Sequence, residues 1–387
     1  MRHRRFGFLV APLLVALLLT AVSSGGAAAV DQVTFLRDKR QQTVAGKLLV
    51  TAQDGGLMLM SADGMLWNIE PAEIVTHTQD DKPFAPLSLA EAGKRVQAEL
   101  PGFQVLPTAH YMICYGTSRM YAQWVGALYE RLYNAFSTYW TARGFKLHDP
   151  ELPLVVMVFP DQESYAEHSK AELGDATKSI IGYYSLRSNR VTMYDLTGVE
   201  SVRRLGGNRS SAGEINQLLN RPEAEAMVAT IIHEATHQLA FNRGLQARFA
   251  DVPLWVSEGI ALYFETPDLR NARGWQTVGA VNHVRLDRFR EYLNGRPTMS
   301  LESLMVNDHR FRDPRQAIDA YAEAWALTYF LIHQKPKAYT EFIEAMAAKK
   351  ALFSVTPEQR LAEFKLAFGN DLTKLDAEFL KYMQKVR

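Results

Sequence analysis

The stretch that most restricts this chain is Ile231-Ile232-His233-Glu234-Ala235-Thr236-His237-Gln238-Leu239. On a helix, residues four apart lie one turn apart on the same face, so both imidazoles can reach one metal ion. Glu234 projects beside that face, where a carboxylate can hold the water that a metal activates. In outline this is a hydrolytic zinc site, and such a site needs a third protein ligand and an open fourth position.

The flanking residues predict the helix. Pro222 sits where a first-turn proline is tolerated, Glu223 and Glu225 complement the helix N-terminus, and Gly244 suits a C-terminal cap. Val228, Ile231, Ile232, Ala235 and Leu239 give the segment the apolar character of a buried helix. An ordinary core helix with hydrogen-bonded histidines would share these features, so the third ligand decides. Asp251 to Phe264 reads as a second helix, begun near Pro253 and ended by Thr266-Pro267. It carries Glu258, and Gly259 beside it would let two helices approach closely enough for that carboxylate to bind the metal.

His233-Glu234-x-x-His237 followed by Trp255-x-x-Glu258-Gly259-x-Ala261-x-Tyr263 resembles the gluzincin metallopeptidases, the superfamily that includes thermolysin and the zinc aminopeptidases. Ser257 departs from the Asn usual before that glutamate. More closely, the run from His233 to Asn242 and the following helix resemble a group of secreted bacterial peptidase-like proteins catalogued as a domain of unknown function. The resemblance covers roughly residues 104–387 and is sharp over 231–265. It implies a zinc metallopeptidase acting on peptide or protein substrates, with Zn2+ held by His233, His237 and Glu258 and with Glu234 as general base. The implied fold class is α+β: a gluzincin-like catalytic domain, with a mixed α/β upper lobe and a helical lower lobe, preceded by a small β module.

The same resemblance makes Tyr321, in Tyr321-Ala322-Glu323-Ala324-Trp325, the candidate donor to a tetrahedral oxyanion. A packed aromatic on a core helix would read the same way; His309 and His283 are the other candidates. Zinc-bound imidazoles usually donate their second nitrogen to an acceptor, for which Asp319, Glu265 and Glu323 are available. Zinc aminopeptidases carry a Gly-x-Met-Glu-Asn motif that captures the substrate amine. This chain lacks it, which argues for an endopeptidase.

Residues 1–29 read as an export signal. Arg2, Arg4 and Arg5 precede an almost wholly apolar run from Phe6 to Val22, and Ala27-Ala28-Ala29 offers a cleavage site. The expected location is therefore secreted, periplasmic or in the cell envelope, with membrane attachment only where the signal stays uncleaved. The signal holds three arginines and no acid, so 40 of the 43 basic and all 42 acidic side chains remain afterwards. That near-neutral balance, without a basic cluster interleaved with aromatics, excludes a nucleic-acid partner. Cys114 is the only cysteine, so no internal disulfide forms, and stability must come from a core.

Residues 30–85 read as a small β module. Val33–Leu36, Val44–Val50, Gly56–Met60 and Leu66–Ile69 are short strands separated by Asp54-Gly55 and Asp63-Gly64 turns, as in an SH3-like or Sm-like barrel. Lys82–Pro86 follows as a linker. From residue 86 to 273 the pattern is mixed. It predicts helices over Ser88–Leu100 and Ser118–Ala142 and after Asp161, strands over His110–Tyr115 and Leu152–Phe159, and a hairpin of Ile180–Tyr184 and Arg190–Tyr194. In gluzincins an edge strand pairs with extended substrate, and by resemblance Arg190–Asp195 is the expected edge. Leu196–Asn220 reads as a surface loop able to cover the cleft. Residues 274–387 read as helical throughout, forming the lower lobe.

Two further readings fit the same residues. One is a catalytically weak or inactive peptidase-like protein acting as a binding or scaffolding module. The other makes the zinc structural, although structural zinc favours four cysteine-rich ligands.

Overall fold

The computed structural model describes residues 29–271 and 275–387. The expected export signal lies outside the described residues except for Ala29. The described fold is mixed α+β, and no described helix is long and apolar enough to cross a membrane.

Five antiparallel strands open the chain: β1 (Ala29–Arg37), β2 (Arg40–Thr51), β3 (Leu57–Ser61), β4 (Leu66–Ile69) and β5 (Ile74–Pro83), in the order β4-β3-β2-β1-β5. Alternation along the strands sends Val33, Phe35, Val44, Leu57, Leu59 and Ile69 into one small core. Gly55 and Gly64 make the expected turns at φ of 91° and 83°. No pairing joins β4 to β5, so the hydrogen-bonded ladder is open rather than a closed barrel. β5 is absent from the sequence reading because it carries no apolar alternation: Ile74 is half-buried and the rest is exposed. Backbone pairing with β1 places it, and it takes up the first residues of the expected linker.

The reverse face of this sheet is docked on the rest of the chain. Met58, Met60 and Leu66 pack against Leu152 and Ala351, with Phe249 and Leu352 alongside. Beneath them Leu352 N donates to Phe249 O at 2.9 Å, and Ala250 bridges to Ala351.

The second sheet follows with α1 (Leu89–Glu99), β6 (Gln104–Pro107), β7 (Tyr111–Tyr115), α2 (Arg119–Thr141), β8 (Leu154–Phe159), α3 (Gln162–Leu173), β9 (Gly182–Tyr184) and β10 (Arg190–Tyr194). Its order is β6-β7-β8-β10-β9, with β7, β8 and β10 parallel and the two outer strands antiparallel. Tyr111, Ile113, Val156 and Val158 join the main core, while Met112, Cys114, Met157 and Phe159 face Val96 and Tyr165. Burial on both faces is what a parallel centre requires. The hairpin forms as expected, but its edge strand is β9, not Arg190–Asp195. β10 is paired on both sides, and its buried Val191, Thr192, Met193 and Tyr194 mark it as an inner strand.

The segment 196–220 is not one surface loop. It holds α4 (Glu200–Arg204) and α5 (Ala212–Leu219), whose Val202, Ile215, Leu218 and Leu219 are buried in the main core. The two motif helices are α6 (Pro222–Asn242) and α7 (Leu254–Phe264), followed by α8 (His283–Tyr292), α9 (Ser300–Val306), α10 (His309–Arg312), α11 (Ala317–Gln334), α12 (Pro336–Ala347), α13 (Pro357–Phe368) and α14 (Leu372–Met383). The described residues from 275 onward carry seven helices, α8 to α14, and no strand. Glu323 of α11, fully buried, accepts from Arg296 and Ser300 at 2.7 Å and lies 2.8 Å from Arg310, while Arg296 also grips Asp376 of α14. That network consumes Glu323, which is therefore no partner for His233 or His237.

Gly259 does permit a close approach, but to α11 rather than to α6. A Cβ there would overlap the Thr328 hydroxyl and come within 3.2 Å of the Ala324 carbonyl. Gly259→Ala is expected to destabilise the fold by about 1–3 kcal/mol through overpacking, read as a lower urea midpoint at unchanged slope.

Candidate metal centre

Both ligand helices are fixed by bonds from distant parts of the chain. The side-chain amide of Gln238, completely buried, donates from Nε2 to Val155 O at 3.0 Å and Asn189 O at 2.9 Å, tying α6 to the second sheet. α7 begins after Pro253, which offers no capping side chain. Asp308 supplies the missing cap by accepting from Leu254 N at 2.9 Å, a carboxylate placed where the helix N-terminus favours it. Arg360 of α13 binds Asp308 at 3.1 Å and also Asp251, so the entry to α7 is clasped from the C-terminal region.

These helices bring together all three expected ligands. His233 Nε2 lies 3.1 Å from Glu258 Oε2 and 3.1 Å from His237 Nε2, and His237 Nε2 lies 3.5 Å from Glu258 Oε2. Metal–donor bonds of ~2.0–2.2 Å at tetrahedral angles separate donors by roughly 3.3–3.6 Å. The observed triangle, 3.1–3.5 Å on a side, is slightly tighter than that spacing, and the group could hold a metal ion. The three side chains are 12%, 11% and 13% exposed, so a bound ion would be largely shielded from bulk water.

The outer nitrogens are also occupied. His233 Nδ1 lies 3.4 Å from Glu265 Oε2, and Glu265 is paired in turn with Arg285 at 3.2 Å. His237 Nδ1 lies 3.5 Å from the hydroxyl of Ser257, which donates to Gln246 Oε1 at 3.0 Å. Of the three candidate acceptors, Glu265 takes the role. Asp319 instead accepts from Arg288 at 2.7 Å.

Burial and the neighbouring charges pull the buried groups in opposite directions. Burial would lower the His233 imidazole, but Glu258 and Glu265 outweigh it and push the group up to about 10. Burial would raise Glu258, yet the His237 charge and both imidazole hydrogen bonds hold it well below the usual carboxylate range. Ligation therefore has to displace a proton from His233. Glu234, whose carboxyl is raised by burial against the pull of both histidines, stands outside the ligand triangle. Its Oε2 accepts from the backbone N–H of Tyr184, on β9, at 2.8 Å.

Two cavities meet at Glu234. One arm, about 440 Å³, is lined by Tyr184, Leu186, Phe241, Phe249 and Arg312; the other, about 280 Å³, by Thr230, Glu265, Arg285 and Ile318. His233, Glu234 and Tyr321 line both. The Glu258 charge, followed by burial, raises the Tyr321 phenol well above its ordinary value, so it remains a donor. His309 and His283, the other candidates, are exposed and line neither arm. The sequence reading missed Tyr184 because it acts through its main chain, which no residue identity reveals. It missed Arg285 because only the fold brings that arginine to Glu265.

The profile of a family described as "Protein of unknown function (DUF1570)" matches residues 227–353. That span runs from within α6 past α12 and includes His233, Glu234, His237, Glu258, Glu265 and Tyr321. No curated protein matches the chain.

Glu265→Gln is expected to weaken metal binding by about 10–100-fold, because the His233 ring loses the charge that orients it. Competition with a chelator of known affinity measures this, and an unchanged constant would remove Glu265 from the centre.

Proposed function

We propose that this chain is an exported zinc peptidase that hydrolyses internal amide bonds of extended peptides. The observation that carries the reading is the separation of roles around one point: three donors converge at 3.1–3.5 Å, while Glu234 stays outside them with its own amide donor. Two imidazoles and one carboxylate suit zinc and leave a position open. The gluzincin-like fold is part of the same proposal, with the edge of the second sheet on one side of α6 and the helical region on the other.

When bound, zinc supplies a water of lowered pKa and polarises the substrate carbonyl. Glu234 accepts a proton from that water as its oxygen bonds to the carbonyl carbon. It then delivers the proton to the amide nitrogen as the carbon–nitrogen bond breaks. Burial raises its carboxyl toward the range where one group can perform both transfers near neutral pH. Tyr321, held protonated beside the cleft, donates to the oxyanion on the substrate carbon. Apart from the Tyr184 N–H that Glu234 holds, the outer side of β9 meets no other strand and accepts an extended backbone with little regard to side chains. Hydrolysis of internal bonds is favoured because two cavities share Glu234 in their lining and because the chain has no amine-capturing motif. Export rests on the signal-like residues 1–29.

Elemental analysis of residues 30–387 is expected to give about one zinc per chain, lost or weakened in Glu258→Ala. Glu234→Gln should retain the zinc and lose about 10²–10⁴-fold in kcat on a peptide library. Tyr321→Phe should also keep the metal and lose about 10²–10³-fold. A zinc-loaded wild type that cleaves nothing across a broad library would instead make the protein a peptidase-like binding module.

A further inference from the structure

The strand that supports Glu234 is weakly held by its own pairing. β9 has three residues and pairs only with β10, and Tyr184 N points away from that partner to Glu234. Its position depends on the turn that follows, Ser185 to Asn189. From one side α6 grips this turn, with Gln238 on the Asn189 carbonyl and the amides of Asn189 and Asn242 exchanging hydrogen bonds at 2.7–2.8 Å. From the other side the N-terminal sheet grips it. Leu66 N donates to Arg187 O at 2.8 Å, and the Arg187 guanidinium lies 5.2 Å from the Trp67 ring.

Arg248 joins these parts. Its Nη1 donates to Gly64 O at 3.2 Å and to Leu186 O at 3.3 Å, one carbonyl in the β3–β4 turn and the other in the β9–β10 turn. No carboxylate lies within ion-pair distance of it among the described residues, and burial lowers its pKa. Glu151 offsets the burial of this cation only from beyond ion-pair distance, and its donors are directed to two main-chain acceptors that the forked guanidinium can span, with Nη2 on Met60 Sδ at 3.9 Å. The next residue, Phe249, lines the cleft at a φ of 61°, a conformation that a bulky side chain adopts only when its surroundings impose it.

We propose that Arg248 is a positioning residue through which the N-terminal sheet holds the β9–β10 turn, and thereby keeps the Tyr184 amide on Glu234. The N-terminal module is then part of the hydrolytic site rather than a spacer or a removable inhibitor. The kinetic consequence rests on the peptidase reading; the mechanical link does not.

Hydrogen exchange on the zinc-loaded full chain separates the two. In Arg248→Met, amides of residues 182–184 are expected to exchange about tenfold faster or more, as loss of charge-assisted bonds implies, while β8 keeps its protection. On a cleaved peptide, kcat should fall about tenfold at unchanged zinc content. Arg248→Lys, which keeps a charged donor, should recover both to within about threefold. Should Arg248→Met not fold, Arg187→Ala removes an exposed side chain from the same contact and should accelerate the same amides by a smaller factor. Unchanged exchange at 182–184 in a folded variant, or acceleration spread equally over β8, would overturn the link. A wild type that cleaves no peptide sinks the peptidase reading and leaves the exchange result to decide this one.

Discussion

Three carboxylates, Glu234, Glu258 and Glu265, share a nearly buried cleft, and such a group is stable only where positive charge or donors are set among them. The structure meets that demand three times. The imidazoles stand on Glu258, Arg285 stands on Glu265, and the Tyr184 amide stands on Glu234. Each answer requires a different element at a fixed distance: the pitch of α6 for the histidines, α8 for Arg285, and the sheet edge for Tyr184. Much of the architecture around residue 233 can be read as the means of holding these compensations in place.

The same demand explains which parts were legible from the residues alone. His233, Glu234 and His237 are neighbours on one helix, so local spacing carries their geometry, and Glu258 is announced by a helix just downstream. Choosing among Asp319, Glu265 and Glu323 was beyond one sequence, because each is an acid on or beside a helix and only the arginines that meet them tell them apart. Arg288 takes Asp319, Arg296 and Arg310 take Glu323, and Glu265 meets both Arg285 and His233.

Misread elements share a cause. β5 is polar along its length because both of its faces meet solvent after Ile74, and its placement comes from backbone pairing. Residues 196–220, rich in Gly, Arg and Ser, read as a loop although Val202, Ile215 and Leu218 anchor two short helices in the core. The resemblance makes β10 the expected edge, and the hairpin itself does not say which of its strands will meet a third. The parallel pairing to β8 decides that, and it lies between segments that no local pattern relates.

The clasp on the segment between the ligand helices also bears on the order in which the chain comes to exist. Asp251 and Arg360 are 109 positions apart, and Phe249 and Ala250 are held by Leu352 and Ala351. A chain emerging from its N-terminus presents both histidines, Glu234 and Glu258 long before it presents the residues that fix the entry to α7. During synthesis, the three donors are present while their mutual geometry is not. Assembly of the centre is thus timed to the arrival of the last helices, and loss of those helices would leave the motif intact in sequence but without its scaffold.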